Sequence, residues 1–580
     1  MVVQALRGVN SVIQPRAKKS SIISTKPQSL NFYSNRHNTR SDTRTRAMET
    51  LPQEIYDQIA LHLSRRRGQN SIEAVLFKYT NKGKQPESML AKVACVSRRW
   101  QETIEPEIFR SLYIRDGDVD GLEHIVVGRR RQYLSELRVR LELPCPKPRR
   151  HRGYLHMYET EDERTAINIL ATARTKRVLE ILESWGGPFK ALSFQLHFGP
   201  PDDLVVRSPR DSPWRYSFLS INTDGFPMVD CVTDFSAVGR SGREFDPTSI
   251  ICLMKCFPNL TAFDMEFHEP DTFHLLRKDL RDDFSRTLQA TLLCLPPMLE
   301  NLHFAWILPG IFQAERLPDL TAPLGYDVVS ASLRKISANA KTFYVTGNPD
   351  PTLFWPAAEE GIDLEPFWPN LESLTLHMLN PTSPSGRWYL RSSGPEDDTS
   401  HIMLGDMPLP LDRPLFRPPG FGPKAGWQEA DRFQRNWIVD RANFQDNNMA
   451  ADHFRTWPDE GVFVPLVEAF ARALTHMPRI KSATLMMDSD DSYTINIDYA
   501  APGEQVHEDI RMQPHEEPPL SVPRVSIHTY SWRMGEKLEQ MFRDIGLKFH
   551  GQESVLRYLP DLYGGGSEWS TTDSGTDVDG

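Results

Sequence analysis

The sequence is short of cysteine, of long apolar runs and of net positive charge, and each shortage argues against a class of protein. Its six cysteines (Cys95, Cys145, Cys231, Cys252, Cys256 and Cys294) form no Cys-x-x-Cys pair and no dense framework. A disulfide scaffold is therefore not expected, and a reduced, intracellular setting is. No apolar run approaches the roughly 20 residues that span a bilayer, so no membrane partner is expected. A net charge of −10 provides no general attraction to nucleic acid. Catalytic signatures are missing as well. There is no Gly-x-x-x-x-Gly-Lys-Ser/Thr phosphate loop, no Gly-x-Gly-x-x-Gly after a strand, no His-Glu-x-x-His and no Gly-x-Ser-x-Gly. Gly420-Phe421-Gly422-Pro423 is flanked by proline and reads as a loop. Cys252 and Cys256 lie one helical turn apart without a nearby His, which suits core packing better than a metal. Asp488, Asp490 and Asp491 read as a solvated acidic turn. No catalytic residue, cofactor or metal is expected.

Proline, in contrast, is abundant, with 45 residues, and this favours many short elements over long helices. The 29 Phe and 12 Trp supply bulky core material. At about 150 residues per domain the length allows roughly four domains, or one elongated repeat array. Residues 1–47 stand apart: Arg7, Arg16, Lys18, Lys19, Lys26, Arg36, Arg40, Arg44 and Arg46 are opposed only by Asp42. Such an acid-poor start resembles a mitochondrial transit peptide, but a disordered basic tail is the preferred reading. Residues 564–580, rich in Gly, Ser, Thr and Asp, read as a solvated tail.

From Leu51 the pattern turns helical. Pro52 suits the first position of a helix, where its missing N–H costs nothing. Ile55, Ile59 and Leu63 recur every four residues and form one apolar stripe. A second helix is expected to carry Met89, Leu90, Val93, Val96 and Trp100. A third short segment offers Ile104, Ile108, Phe109 and Leu112, with Pro106 shaping its start. Three short amphipathic helices bury little area alone, so some of these side chains need a partner surface.

These residues carry a resemblance. Leu51-Pro52-Gln53-Glu54-Ile55, followed by Val93-Ala94-Cys95-Val96-Ser97-Arg98-Arg99-Trp100, resembles the opening and closing phrases of the F-box. Ile104–Ile114 looks like that family's exit into a first strand. The resemblance implies docking on a Skp-family adaptor, and through it on a cullin-RING ubiquitin ligase. Leu51, Pro52, Ile55, Ile59, Leu63, Leu90, Val93, Val96 and Trp100 would be the helix-in-groove anchors. The chain departs from the family pattern by an insertion at 64–88, which includes Arg65-Arg66-Arg67.

Beyond the helices a loose phrase recurs: an aromatic or aliphatic residue, Pro, then Leu-x-x-Leu-x-Leu-like alternation. Phe257–Met265, Leu295–Phe304, Trp368–Leu376 and Met477–Leu485 are the clearer copies. Leu134–Leu143, Phe189–Phe198 and Lys341–Val345 are weaker ones. Each copy predicts a short strand. Preceding helices are expected at Thr248–Cys256 and at Val462–His476, with Val467, Phe470 and Leu474 inward. One repeat cannot stand alone, but stacked repeats share a continuous core. This resembles degenerate leucine-rich repeats. Pro200–Gly242, with a strand-like Trp214–Asn222, reads as one insertion and 381–459 as another. The latter is rich in Pro and Gly yet holds Trp388, Trp427, Trp437 and Trp457. A disordered linker seldom holds so much Trp, so a target-binding surface is expected first at Trp388, Trp427 and Trp437. The competing reading has them cap the array. Tyr493–Tyr499 alternates like an edge strand, Glu536–Ile545 has helical period, and Leu547–Leu559 suits a closing cap. Arg129-Arg130-Arg131 and Lys147–Arg152 suggest either a phosphate-binding or localisation patch or plain exposed loops.

The expected fold class is α/β: a small three-helix F-box at 48–114, then an irregular leucine-rich-repeat-like α/β solenoid with long insertions over 115–563. The function implied is the non-catalytic target-recognition subunit of an SCF-type ubiquitin ligase, cytoplasmic or nuclear. The alternative is a leucine-rich-repeat-like interaction scaffold outside any ligase.

Overall fold

The structure, a computed structural model, describes residues 94, 97–144, 149–151, 154–156, 161–186, 191–199, 217–238, 243–270, 274–308, 318–361, 365–379, 382–392, 455–489, 493–504, 521–529 and 532–559. Leu51, Pro52, Ile55, Ile59, Leu63, Leu90, Val93 and Val96, the insertion at 64–88, Trp427, Trp437 and both tails lie outside these residues.

The first well-defined element begins one residue after an extended Ser97, whose hydroxyl accepts the Trp100 N–H at 3.4 Å. Ser97 therefore caps a new helix, α1 (Arg98–Phe109), which runs through Pro106. A helix continuous through Val93–Trp100 and a separate segment from Ile104 were expected. The cap at Ser97 moves the break upstream and joins Trp100 to Ile104 and Ile108. One residue later the chain enters strand β1 (Ser111–Arg115).

The elements that follow are α2 (Val119–Ile125), α3 (Arg129–Tyr133), β2 (Glu136–Glu142), a small ribbon β3 (Arg149–His151) and β4 (Tyr154–His156), α4 (Glu161–Ser184), β5 (Leu192–Gly199) and β6 (Val232–Val238). Next come α5 (Pro247–Met254), β7 (Ala262–His268), α6 (His274–Thr291), β8 (Asn301–Ile307), α7 (Val328–Ile336), β9 (Thr342–Gly347) and β10 (Ser373–Met378). The chain continues through β11 (Leu390–Ser392), β12 (Arg455–Pro458), α8 (Phe463–Leu474), β13 (Ser482–Ser489), β14 (Tyr493–Ala500), β15 (Arg524–His528), α9 (Glu536–His550) and β16 (Val555–Tyr558).

Twelve strands form one open, mostly parallel sheet in the order β1-β2-β5-β6-β7-β8-β9-β10-β13-β14-β15-β16. Only β14 runs antiparallel to its neighbours. The described chain is thus a mixed α/β structure in which each new sheet strand is laid beside the last. Parallel neighbours require crossovers. Helices α5 to α8 pack against the core between successive strands, with α5 on α6, α6 on α7 and α8 on α9.

Alternation within the strands decides the two faces. One face is a continuous apolar row: Leu137, Phe194, Phe235, Phe263, Leu302, Phe343 and Leu374 are register partners in succession. All are at most 3 % exposed. On the helix side, Leu276, Leu280, Phe284 and Leu288 of α6 make a four-residue stripe into the same core. Val467, Phe470 and Leu474 of α8 are inward as expected.

The strand phrases materialise as β2, β5, β7, β8, β9, β10 and β13. Three expectations need correction. The described part of Trp214–Asn222, residues 217–222, contributes only a bridge, Leu219 to Phe245, and the described strand of that region is β6. Pro200–Gly242 is therefore not wholly an insertion. Tyr493–Tyr499 is not an edge strand, because β15 pairs with its outer side. The proposed cap at Leu547–Leu559 is split between the end of α9 and the true edge strand, β16. The described ends of 381–459, residues 382–392 and 455–459, lie outside the twelve-stranded sheet. They meet as the antiparallel pair β11–β12, and β10 pairs directly with β13 across the gap.

Candidate functional site

The face opposite the helices is polar. A shallow depression of about 420 Å³ opens on it, and every residue lining it belongs to a strand. Its side chains come from the positions between the apolar ones. Arg138, Gln195, Ser236, Asp264, His303 and Tyr344 are successive register partners from β2 to β9. In the row two residues nearer the strand starts stand Glu136, Ser193, Asp234, Asn301 and Thr342, with Ala262 between Asp234 and Asn301.

These groups are wired laterally. Ser111 Oγ donates to Glu136 at 2.6 Å, and Arg138 Nε donates to the same carboxylate at 2.6 Å. Ser236 Oγ donates to Asp264 at 3.0 Å, and His303 Nδ1 lies 2.7 Å from the other Asp264 oxygen. The His303 and Tyr344 rings meet edge-on at 4.6 Å. Burial, opposed by a hydrogen bond from Ser193, pushes the Asp234 carboxyl above its ordinary range, and the Asp264 and Glu136 charges add to the rise. Arg138, already held by Glu136, is the one Lys or Arg lining the depression. Local charge therefore favours an added cation.

None of these residues was singled out from sequence. Asp264 and His303 lie inside predicted strand phrases, and the signal was their place at the intervening positions. Asp234 lies in a stretch read as an insertion.

A second polar cluster lies at the carboxyl ends of β7 to β9, where open α/β sheets often bind ligands. Here it is closed. Glu269, Arg277, Arg281, Asp327 and Asp350 are all 9 % exposed or less. Arg277 Nε donates to Glu269 at 2.9 Å, and Arg281 bridges Glu269 and Asp327. Asp327 caps α7 by accepting the Ser330 N–H at 2.9 Å, and Asp350 accepts the Asp327 N–H at 2.6 Å. Burial alone would raise the Glu269 carboxyl, but Arg277, Arg281 and Trp306 outweigh it and hold it down to about 2. Burial, and then the Asp327 charge, push Asp350 up to about 7, against hydrogen bonds from Thr352 and the Asp327 N–H. We read this cluster as internal structure.

The Asp350 shift has a measurable sign. Its folded value exceeds the unfolded one, so its contribution is fully present below about pH 4. It is lost as pH rises to about 7. Asp350→Asn cannot titrate. It should be less stable than wild type at pH 5, and the gap should narrow by pH 8. Urea midpoints at the two pH values test this, and an unchanged gap would refute it.

The remaining expectations fall as follows. Trp100 is 3 % exposed and packs in the shared core. Trp388 is 4 % exposed, so its side chain offers a target little surface. Trp457, on β12, is partly buried against the core. Arg130 binds Glu105 at 2.7 Å, and Arg131 donates to Val126 O at 3.0 Å and Trp185 O at 3.1 Å. That basic run is therefore largely engaged in holding α3, not in an exposed loop. Burial pushes the Cys231 and Cys256 thiols up to about 11, which makes them poor nucleophiles at neutral pH. Among the described residues no group of three or more His, Cys, Asp or Glu could hold a metal ion. No described helix is long and apolar enough to cross a membrane. No family model matches the chain, and neither a curated protein nor a solved structure resembles it closely enough to count as a match.

Proposed function

We propose that the chain is an F-box substrate-recognition subunit of an SCF-type ubiquitin ligase, bridging a Skp-family adaptor and a target protein. The observation that carries this reading is the ordered pair of phrases, Leu51-Pro52-Gln53-Glu54-Ile55 and Val93–Trp100, ahead of a strand-forming body. We read that body as an irregular leucine-rich-repeat-like solenoid. In-order strands and continuous apolar rows support this. The open polar face would hold the target. The junction suits such a bridge mechanically. Trp100, Ile104, Ile108 and Phe109 of α1 are buried in the same core as the sheet, so the end of the docking module and the body move together. A ligase of this kind works by proximity, and a stiff junction conserves the effective concentration of the target.

The test is capture of Skp adaptor and cullin by the full chain. Leu51→Ala/Pro52→Ala/Ile55→Ala should lose capture while circular dichroism stays unchanged. Trp100 is left alone because it supports the core. The insertion at 64–88 favours the second reading, a repeat scaffold outside any ligase. Absence of capture by the wild type would select that reading.

A further inference from the structure

We propose that the depression around Asp234 and Asp264 binds a basic, arginine-bearing segment of the target protein. This rests on reading the body as the target-holding part of the molecule. Among the described residues only those of the strands line the depression. Its charge is unbalanced: Glu136, Asp234 and Asp264 face Arg138 alone, and Arg138 is paired with Glu136. Ser236 and His303 each contact Asp264, and no fixed positive charge neutralises it or Asp234 within the depression. Burial has already raised the cost of the Asp234 charge, with Asp264 adding to it. A bound cation would offset both effects.

Geometry favours arginine over lysine. Asp234 and Asp264 sit on adjacent strands in neighbouring rows, since Asp234 pairs with Ala262 and Ser236 with Asp264. Such diagonal neighbours are about 7–8 Å apart, a separation that a planar guanidinium, with donors on opposite sides, spans better than a single ammonium. The Tyr344 ring, one strand beyond His303, also lines the depression and is an aromatic group on which a guanidinium could stack.

The test uses the full chain and a fluorescent peptide of alternating Gly and Arg, with Gly–Lys and Gly–Glu versions as comparators. Binding should follow the order Arg, then Lys, with none for Glu, and should weaken with salt. Asp234→Asn/Asp264→Asn should weaken Gly–Arg binding about tenfold or more, as loss of two charge-assisted contacts implies. Glu359→Gln/Glu553→Gln, which removes as much charge from exposed sites elsewhere, should leave it unchanged. Equal losses in the two double variants would mean general attraction to an acidic protein and overturn the proposal. So would binding of the Gly–Glu peptide, or concentration-dependent self-association abolished by Asp234→Asn/Asp264→Asn, which would make a second copy the occupant. Adaptor capture is measured on the same samples. Peptide binding without adaptor capture defeats the ligase reading alone, and capture without peptide binding defeats this proposal alone.

Discussion

Arg281→Met should destabilise the protein by about 3–5 kcal/mol, the usual cost of stranding a buried charge. The side chain is 5 % exposed and joins three elements. It pairs with Glu269, just past β7, and its Nη2 donates at 2.8 Å to Asp327, the cap of α7. It also lies 5.6 Å from the centre of the Trp306 ring on β8. Methionine fills much of the volume, so the loss is electrostatic before it is a matter of packing. Arg277 would remain to answer Glu269, but Asp327 would lose its counter-charge. Adding Asp327→Asn removes that stranded charge and keeps an oxygen for the helix cap. The double variant should therefore be less destabilised than the two single effects sum to, with a coupling of about 0.5–3 kcal/mol. Denaturant midpoints for the four proteins decide the matter. A cost below about 1 kcal/mol for Arg281→Met would place it among ordinary surface changes and refute the account.

Periodicity made parts of this architecture legible and hid others, for physical reasons. Strands β7, β8, β10 and β13 follow a Pro-led turn and alternate cleanly, so each could be read as half-buried. β6 could not. Val232, Phe235 and Ala237 face the core, but Thr233 and Asp234 break the alternation, because the register with β5 slips between Leu192 and Ser193. β15 is buried at every position, and a short run such as Arg524-Val525-Ser526-Ile527-His528 carries no period to read. The edge assignment of β14 failed because alternation reports a strand but not its neighbours. The buried cluster around Arg281 was invisible for another reason. Arg277 and Arg281 share one helical stripe, but their partners Glu269 and Asp327 lie on separate connections that only the fold brings together. The open-face residues were present in the predicted phrases as the positions between the aliphatic ones. Which of them would share a depression depended on register, which no local pattern supplies.

Phe235→Ala should cost about 3–5 kcal/mol, as expected for a large-to-small change in a core that cannot collapse. Phe235 is fully buried on β6. Its ring centroid lies 5.9 Å from Phe194, 4.9 Å from Phe257 and 6.2 Å from Phe263. Phe194 and Phe263 are its register partners on the two adjacent strands, and Phe257 sits in the turn after α5. Rigid rings on three sides leave little freedom to fill the void. Phe235→Leu, which retains most of the volume, should cost well under half as much. A midpoint shift equally small for alanine would mean that β6 is loosely held. The change also reaches the other face. Asp234 and Ser236 flank Phe235 and point away from it, so the packing of this one ring fixes the height of the strand that carries them. Under conditions where Phe235→Ala is still folded, its affinity for the Gly–Arg peptide should fall, whereas any adaptor capture through the proposed F-box, ahead of β1, should not. Unchanged peptide affinity in a destabilised but folded variant would show that the open face is set by its lateral hydrogen bonds, independent of the core beneath it.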